Sequence, residues 1–264
     1  MTTPAPGTAQ EGAGARIYVL MDMARMMEIL RSEGVSAGQD MASDYLPEEE
    51  HPGFARTVEE VFDTDQMNTA MAMTFDAEIA ARTGAEERAV IENFFGQGPG
   101  QRIVSAEMSA RQALLSQDVE DAARERLPEI LASDPELSDL VGSFIAVNDL
   151  VDLNVAGALS ASFAFYAGLA EAGAIDADED RILQLTWQLA EPTRRDTTEW
   201  LAAYLFMVYE PLDRSDLQAY VDLSGQPAGQ HLNAALFASF GTLYDDIYRR
   251  LGQSLGRRLA SEEL

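Results

Sequence analysis

Two histidines, 45 carboxylates and no cysteine limit the chemistry this chain can do. His51 closes a Glu48-x-x-His51 spacing. A carboxylate-bridged di-iron bundle needs two such pairs on facing helices, plus further glutamates. The other histidine, His231, has Ala228 where that glutamate would stand, and the Glu48 pair lies between Pro47 and Pro52. No dinuclear metal site is expected. Asp176-Ala177-Asp178-Glu179-Asp180 opens like a calcium loop, which requires glycine at its sixth position and glutamate at its twelfth. Arg181 and Trp187 stand there, so the run reads as an acidic helix start favoured by the helix dipole. Without cysteine there is no thiolate nucleophile, disulfide or zinc–thiolate site. All 18 basic residues are arginine, which also removes Schiff-base chemistry. No hydrolase nucleophile elbow is expected. A glycosidase-type carboxylate pair cannot be singled out among so many acidic residues.

Met21, Met23, Met26 and Met27, with Met67, Met71 and Met73 further on, form a thioether cluster of the type soft metals use. The reading preferred here is flexible core filling. With Phe163 and Phe165, the residues Met23, Met26 and Met27 are also the candidate lining of a malleable apolar groove. Gly96-Gln97-Gly98-Pro99-Gly100 resembles a phosphate loop only superficially, since no lysine follows it and no strand precedes it. It reads as a corner between two helices. No cofactor and no metal are expected.

That corner occurs twice. Gly96-Gln97-Gly98-Pro99-Gly100-Gln101 returns as Gly225-Gln226-Pro227-Ala228-Gly229-Gln230, a shift of 225 − 96 = 129 residues. The candidate corner residues are Gly96, Pro99, Gly100 and Gln101 in the first occurrence, and Gly225, Pro227, Gly229 and Gln230 in the second. Glycine caps the end of a short helix, proline suits the first turn of the next, and the second glycine lets the two helices approach. Capping boxes are expected from Thr83 to Glu86 and from Asp213 to Asp216. A weaker echo places Met26 and Met27 opposite Leu150 and Val151, a shift of 150 − 26 = 124. A repeat of this length sets the architecture. The expected fold is all-α: a multi-helix bundle of two tandem repeats related by a pseudo-twofold, residues 15–133 and 134–264, after a disordered tail over 1–14.

Helical periodicity predicts helices over 15–31, 36–46, 54–62, 65–82, 85–95 and 99–132, the last kinked or divided at Pro128. Residues 47–53 read as an acidic loop. In the second repeat helices are predicted over 135–154, 156–172, 178–190, 196–210, 213–224 and 228–260, with Asp134 as an N-cap. Residues 153–170 carry no charge and approach membrane-spanning length. Their acidic flanks lack cationic or aromatic anchors, so a buried helix rather than a membrane span is expected.

Residues 212–232 resemble the bacterial family catalogued as domain of unknown function 2059. Its pattern is an acidic helix start, then Phe-Tyr-x-Ser-Pro-x-Gly-Gln/Lys, then a long helix. Pro227, Gly229 and Gln230 match, while Leu223, Ser224 and Gln226 depart. The first occurrence keeps Phe94, Phe95, Gly100 and Gln101, with Gly98 at the proline position. The resemblance implies an all-helical protein, usually exported by proteobacteria, with no established activity. It brings no catalytic residues.

The formal charge of −27 disfavours nucleic acid and anionic membrane surfaces, which need basic groups. The functional expectation is an exported, periplasmic, non-enzymatic protein that binds a partner protein or an apolar ligand between its repeats. The alternatives are a carboxylate-dependent hydrolase of the cell envelope, and an assembly protein that homodimerises through residues 156–172. No signal peptide is read in the chain, so export is an expectation from the polar tail and the resemblance.

Overall fold

The computed structural model describes residues 12–262, and among them it is entirely helical and loop, with no strand. The helices, in chain order, are α1 (Ala15–Leu20), α2 (Met23–Tyr45), α3 (His51–Val61), α4 (Thr64–Arg82), α5 (Ala85–Phe95), α6 (Gly98–Ala113) and α7 (Gln117–Ser133). They continue with α8 (Pro135–Val147), α9 (Leu150–Glu171), α10 (Glu179–Trp187), α11 (Ala190–Tyr209), α12 (Arg214–Ser224) and α13 (Pro227–Glu262). The expected tail falls outside the described residues except for 12–14, where Gly14 is buried and its N–H donates to Asp76 Oδ1 at 2.7 Å.

Side chains that compete with the backbone set several boundaries. Asp63, Asp134 and Asp178 accept from Gln66, Leu137 and Arg181 N–H groups, capping α4, α8 and α10. Two boundaries differ from the periodic pattern. The helix expected over 15–31 breaks at Asp22, and that expected over 135–154 breaks at Asp149. Both aspartates take left-handed backbone, φ 53° and 51°. Apart from glycine, aspartate and asparagine are the residues that enter this region most readily. These breaks lie 149 − 22 = 127 residues apart. Past Asp22, α2 runs unbroken through Gly34, whose missing Cβ makes room for the Phe62 ring. Pro128 does not divide its helix: it sits inside α7, and the break comes earlier, between Leu114 and Ser116. The acidic loop is shorter than expected because α3 starts at His51 with Pro52 in its first turn.

The capping boxes also shift. Glu87 Oε2, not Glu86, accepts from the backbone, at Gly84 N–H, 2.9 Å. Asp213 makes no side-chain cap, and Asp216 is buried in an ion pair instead.

The two glycine corners are built alike. A Cβ on Gly100 would stand 2.3 Å from the Phe94 carbonyl oxygen, and one on Gly229 would stand 2.1 Å from that of Leu223. Any side chain would force the paired helices α5–α6 and α12–α13 apart.

Packing mixes the two halves: α13 serves the core of the first, and α6 contributes to both cores. The larger core joins Phe54, Met71, Phe75, Ile79 and Phe95 of the first half to Leu232, Ala235, Ile247, Leu251 and Leu255 of α13. The smaller joins Leu137, Val141, Phe144, Leu205, Phe206, Tyr209 and Leu217 of the second half to Ile103 and Ala110 of α6. Around the centre, each of six long helices packs on the next, in the order α2, α4, α13, α9, α11, α6 and back to α2. The α9–α13 contact is the most intimate: Cβ positions on Gly168 and Gly252 would fall 2.3 and 2.1 Å from the Arg249 and Phe165 carbonyl oxygens. Among the described residues α9 is the one helix long and apolar enough to cross a membrane by length and composition.

Candidate functional site at the junction of the halves

Where α2, α6, α11 and α13 converge, charged and aromatic side chains collect. Arg111 on α6 forks onto Glu33 of α2, with Nε–Oε1 and Nη2–Oε2 both 2.8 Å. Its guanidinium lies over the Trp200 ring of α11, 5.2 Å from the centroid. Trp200 stacks on Tyr204, one turn along the same helix, at 5.0 Å. Phe240, Tyr244 and Tyr248 form a second aromatic row along α13. On α6, one turn before Arg111, Glu107 Oε1 accepts from the Tyr209 hydroxyl at 2.7 Å, and its carbonyl accepts from Tyr204 at 3.3 Å.

Burial dominates the electrostatics here. It pushes the Glu107 carboxyl up to about 7, with the Tyr209 hydrogen bond pulling the other way. It pushes the Tyr244 hydroxyl up to about 12 and raises that of Tyr204 as well. Burial opposes the charge on Arg111, but the Glu33 clasp outweighs it and the guanidinium is held more firmly protonated. Yet Glu107, Trp200, Tyr204, Phe240, Tyr244 and Tyr248 all keep part of their surface accessible. Together they form a partly accessible cluster of aromatic and charged side chains. Aromatic walls with a few convergent polar groups are the usual make-up of small-molecule sites. Two surface hollows contrast with it. One, of about 340 Å³, lies between α3 and α4 beside Arg31, Arg56, Glu59 and Asp63. The other, of about 560 Å³, lies between α8 and α12 beside Glu136, Asp139 and Arg214. Neither has an aromatic wall.

Among the ion pairs that cross between the halves, two lie close to the glycine corners. Arg102 at the start of α6 forks onto the buried Asp216 of α12, at 2.6 and 2.7 Å. The hydrogen bonds from Arg102 hold the Asp216 carboxyl below the usual carboxylate range. His231 at the start of α13 pairs through Nδ1 with Glu87 of α5, at 3.0 Å.

The residues singled out in the sequence scatter across the fold. Gly96, Gly98, Pro99, Gly100 and Gln101 form the α5–α6 corner, and Gly225, Pro227, Gly229 and Gln230 the α12–α13 corner. Gln230 caps its own corner, donating to the Val147 and Ser224 carbonyls. Met23 and Met27 are buried in the larger core, as are Met21, Met67 and Met71; Met26 and Phe165 pack at its edge, and Phe163 is half-buried. His51 sits against the Leu46 carbonyl at 2.9 Å, and His231 is engaged by Glu87. Gly34-Val35-Ser36-Ala37-Gly38 does have the spacing of a nucleophile elbow. It runs through the middle of α2, where a strand-to-helix turn is required, and its glycines seat Phe62 and Val58. Gly157 faces open space, but Gly168 is locked against the α13 backbone, so residues 156–172 do not offer one continuous free face.

Sequence reasoning passed over Glu33, Glu107, Arg111, Trp200, Tyr204 and Tyr244. Their signal was weak but real. Glu107 and Arg111, Trp200 and Tyr204, and Phe240, Tyr244 and Tyr248 each follow helical spacing. Compared with protein-family models, with curated proteins and with solved structures, the chain matches none.

Proposed function

We propose that this is a non-enzymatic binding protein made of two divergent copies of one helical unit, which holds a small, largely apolar ligand at the aromatic cluster where the copies meet. The observation that carries the reading is the composition of that cluster. The second half supplies rings with polar tips and the first supplies Glu33, Glu107 and Arg111. Duplication is supported by the paired left-handed aspartates and the paired glycine corners. It is supported further by the ion pairs. Arg102 and His231 are 129 residues apart, and so are their partners Glu87 and Asp216. Each position of one half therefore grips its counterpart's partner in the other, the pattern a two-fold interface generates. The resemblance to the domain of unknown function 2059 family, and export to the periplasm, belong to the same proposal; fractionation of the native gene product tests the location.

Native mass spectrometry of the gently purified protein, with extraction of whatever co-purifies, tests the binding reading. A retained organic molecule that is lost in Trp200→Ala is the expected result. A wild-type protein that neither retains nor takes up any apolar probe overturns it.

Glu107 favours a second reading, a carboxylate-dependent enzyme, because a carboxyl raised to about 7 suits proton transfer. Its hydrogen-bond partner, however, is a core tyrosine rather than a second carboxylate or a nucleophile. Unaltered substrate panels with both wild-type and Glu107→Gln protein would retire this alternative.

A further inference from the structure

Two short helices sit in comparable places and are covered differently. α3 follows α2, as α10 follows α9. α3 lies between α2 and α13, and its Phe54 and Val58 are 0% and 1% exposed. α10 packs on α9 and makes no comparable contact with any other helix of the described residues. Its Ile182 and Thr186 are buried, while Leu183 and Trp187, one turn apart, are 55% and 70% exposed. A single exposed apolar side chain needs no explanation, but a leucine and a tryptophan side by side on one helix face form a patch.

The charges around that patch are ordered. Glu179 and Arg195 stand at equal distances from Trp187 in the chain, 187 − 179 = 195 − 187 = 8, and Asp180 and Arg194 stand one residue nearer on each side. The chain does not turn back between them. Gln188 and Leu189 keep right-handed helical backbone and carry helical hydrogen bonds from α10 into α11. All four charged residues are exposed. Glu179, Asp180 and Arg195 make no ion pair among the described residues, and Arg194 makes an exposed one with Asp152. Of the 18 arginines, only Arg195 and Arg257 have side chains that meet no partner among the described residues. Acid on one side, an apolar middle and base on the other make a pattern that is complementary to itself when reversed. A two-fold axis at Trp187 sets the acidic end of each copy on the basic end of the other, as an isologous interface requires.

We propose that the chain forms a two-fold dimer through the exposed face of α10 and the start of α11. Trp187 and Leu183 lie at its centre, and Glu179 and Asp180 of each copy face Arg194 and Arg195 of the other. Two chains of formal charge −27 repel one another at long range, so a local pairing of opposite charges decides which face is usable. The inference does not depend on a ligand at the aromatic cluster.

Sedimentation velocity of the full chain over a roughly hundredfold range of concentration tests this. Wild-type protein is expected to pass from one chain to two, and Trp187→Ser to weaken the association by at least roughly tenfold. Thermal melts of the two at a concentration where both are single chains should coincide, because the side chain is mostly exposed. Charge exchange then tests the geometry. Glu179→Arg and Arg195→Glu should each associate more weakly than wild type when alone. An equimolar mixture should recover dimers, because both contacts are restored only in the mixed pair. Should Glu179→Arg unfold the first turn of α10, wild type and Trp187→Ser still decide the matter. A wild type that stays a single chain at every concentration overturns the proposal, and Trp187-dependent flotation of that monomer with phosphatidylcholine vesicles would give the face to a lipid surface instead. A dimer that Trp187→Ser leaves unchanged, or charge variants that associate no better mixed than alone, also overturns it.

Discussion

The two cores solve one packing problem with different materials. The larger fills the first half with phenylalanine and methionine, among them Phe54, Phe75, Phe95, Met27, Met67 and Met71, all with almost no exposed surface. The smaller relies on leucine, valine and Tyr209, whose hydroxyl must be satisfied and is, by Glu107. Methionine tolerates an irregular space, whereas a buried tyrosine demands a partner. The second core therefore imports a titratable group and the first does not. The clasps differ in the same sense. Arg102–Asp216 is a fork that stays charged over the ordinary pH range, while His231–Glu87 is an ion pair only when the imidazole is protonated. One half is built for bulk and the other for polar adjustment, which is where a ligand site gains most.

The largest expected effects test whether the cores are energetically one. Phe75→Ala and Leu137→Ala should each cost about 3–5 kcal/mol by urea unfolding, and each should shift a single shared transition. The reason is that each core takes side chains from a helix of the other half. Two separable transitions would break the comparison into independent domains. Next come the corners. Replacing glycine by alanine inside a helix usually stabilises it by about 1 kcal/mol. At Gly100 and Gly229 the sign should reverse, with a loss of roughly 2 kcal/mol at each site, because the new methyl meets backbone. A gain at one and a loss at the other would show that the corners are not equivalent.

A third effect should separate the cores by pH. The Glu107 carboxyl is raised from 4.5 to about 7 in the folded protein. A raised group adds stability that is complete below its unfolded value and is lost as pH rises through its folded one. Stability should therefore fall by on the order of 2 kcal/mol between pH 4.5 and 7. Glu107→Gln, which keeps an acceptor for Tyr209, should flatten that slope in thermal melts across the range. Phe75→Ala should leave the slope intact. The smallest effect sharpens the clasp comparison. His231→Arg should add about 0.5 kcal/mol, the ordinary worth of a half-exposed ion pair, and lose that gain in high salt. A gain that survives high salt would mean that charge is not what distinguishes the two clasps.

Much of the fold was legible because helices announce themselves locally. Residues 85–95 were placed to the residue, and Asp134 was visible as a cap ahead of Pro135. The glycine corners were legible because a close approach of backbones demands a residue without a side chain. The misplacements have equally local causes. Asp22 and Asp149 break helices by a backbone conformation that hydrophobic periodicity does not register.

The candidate site was not legible, although all its residues were on the page. Nothing in the chain near Arg111 names Glu33, 78 positions earlier, or Trp200 beyond it. An arginine on a half-polar helix face reads as solvated until a second helix covers it. Composition and local pattern settled that the chain is helical, acidic and without thiol or lysine chemistry, because those properties belong to single residues and their near neighbours. Which core α6 and α13 serve, and which charges are thereby drawn out of water, was decided only when distant helices packed, because desolvation depends on what surrounds a group in space and not on what flanks it in the chain.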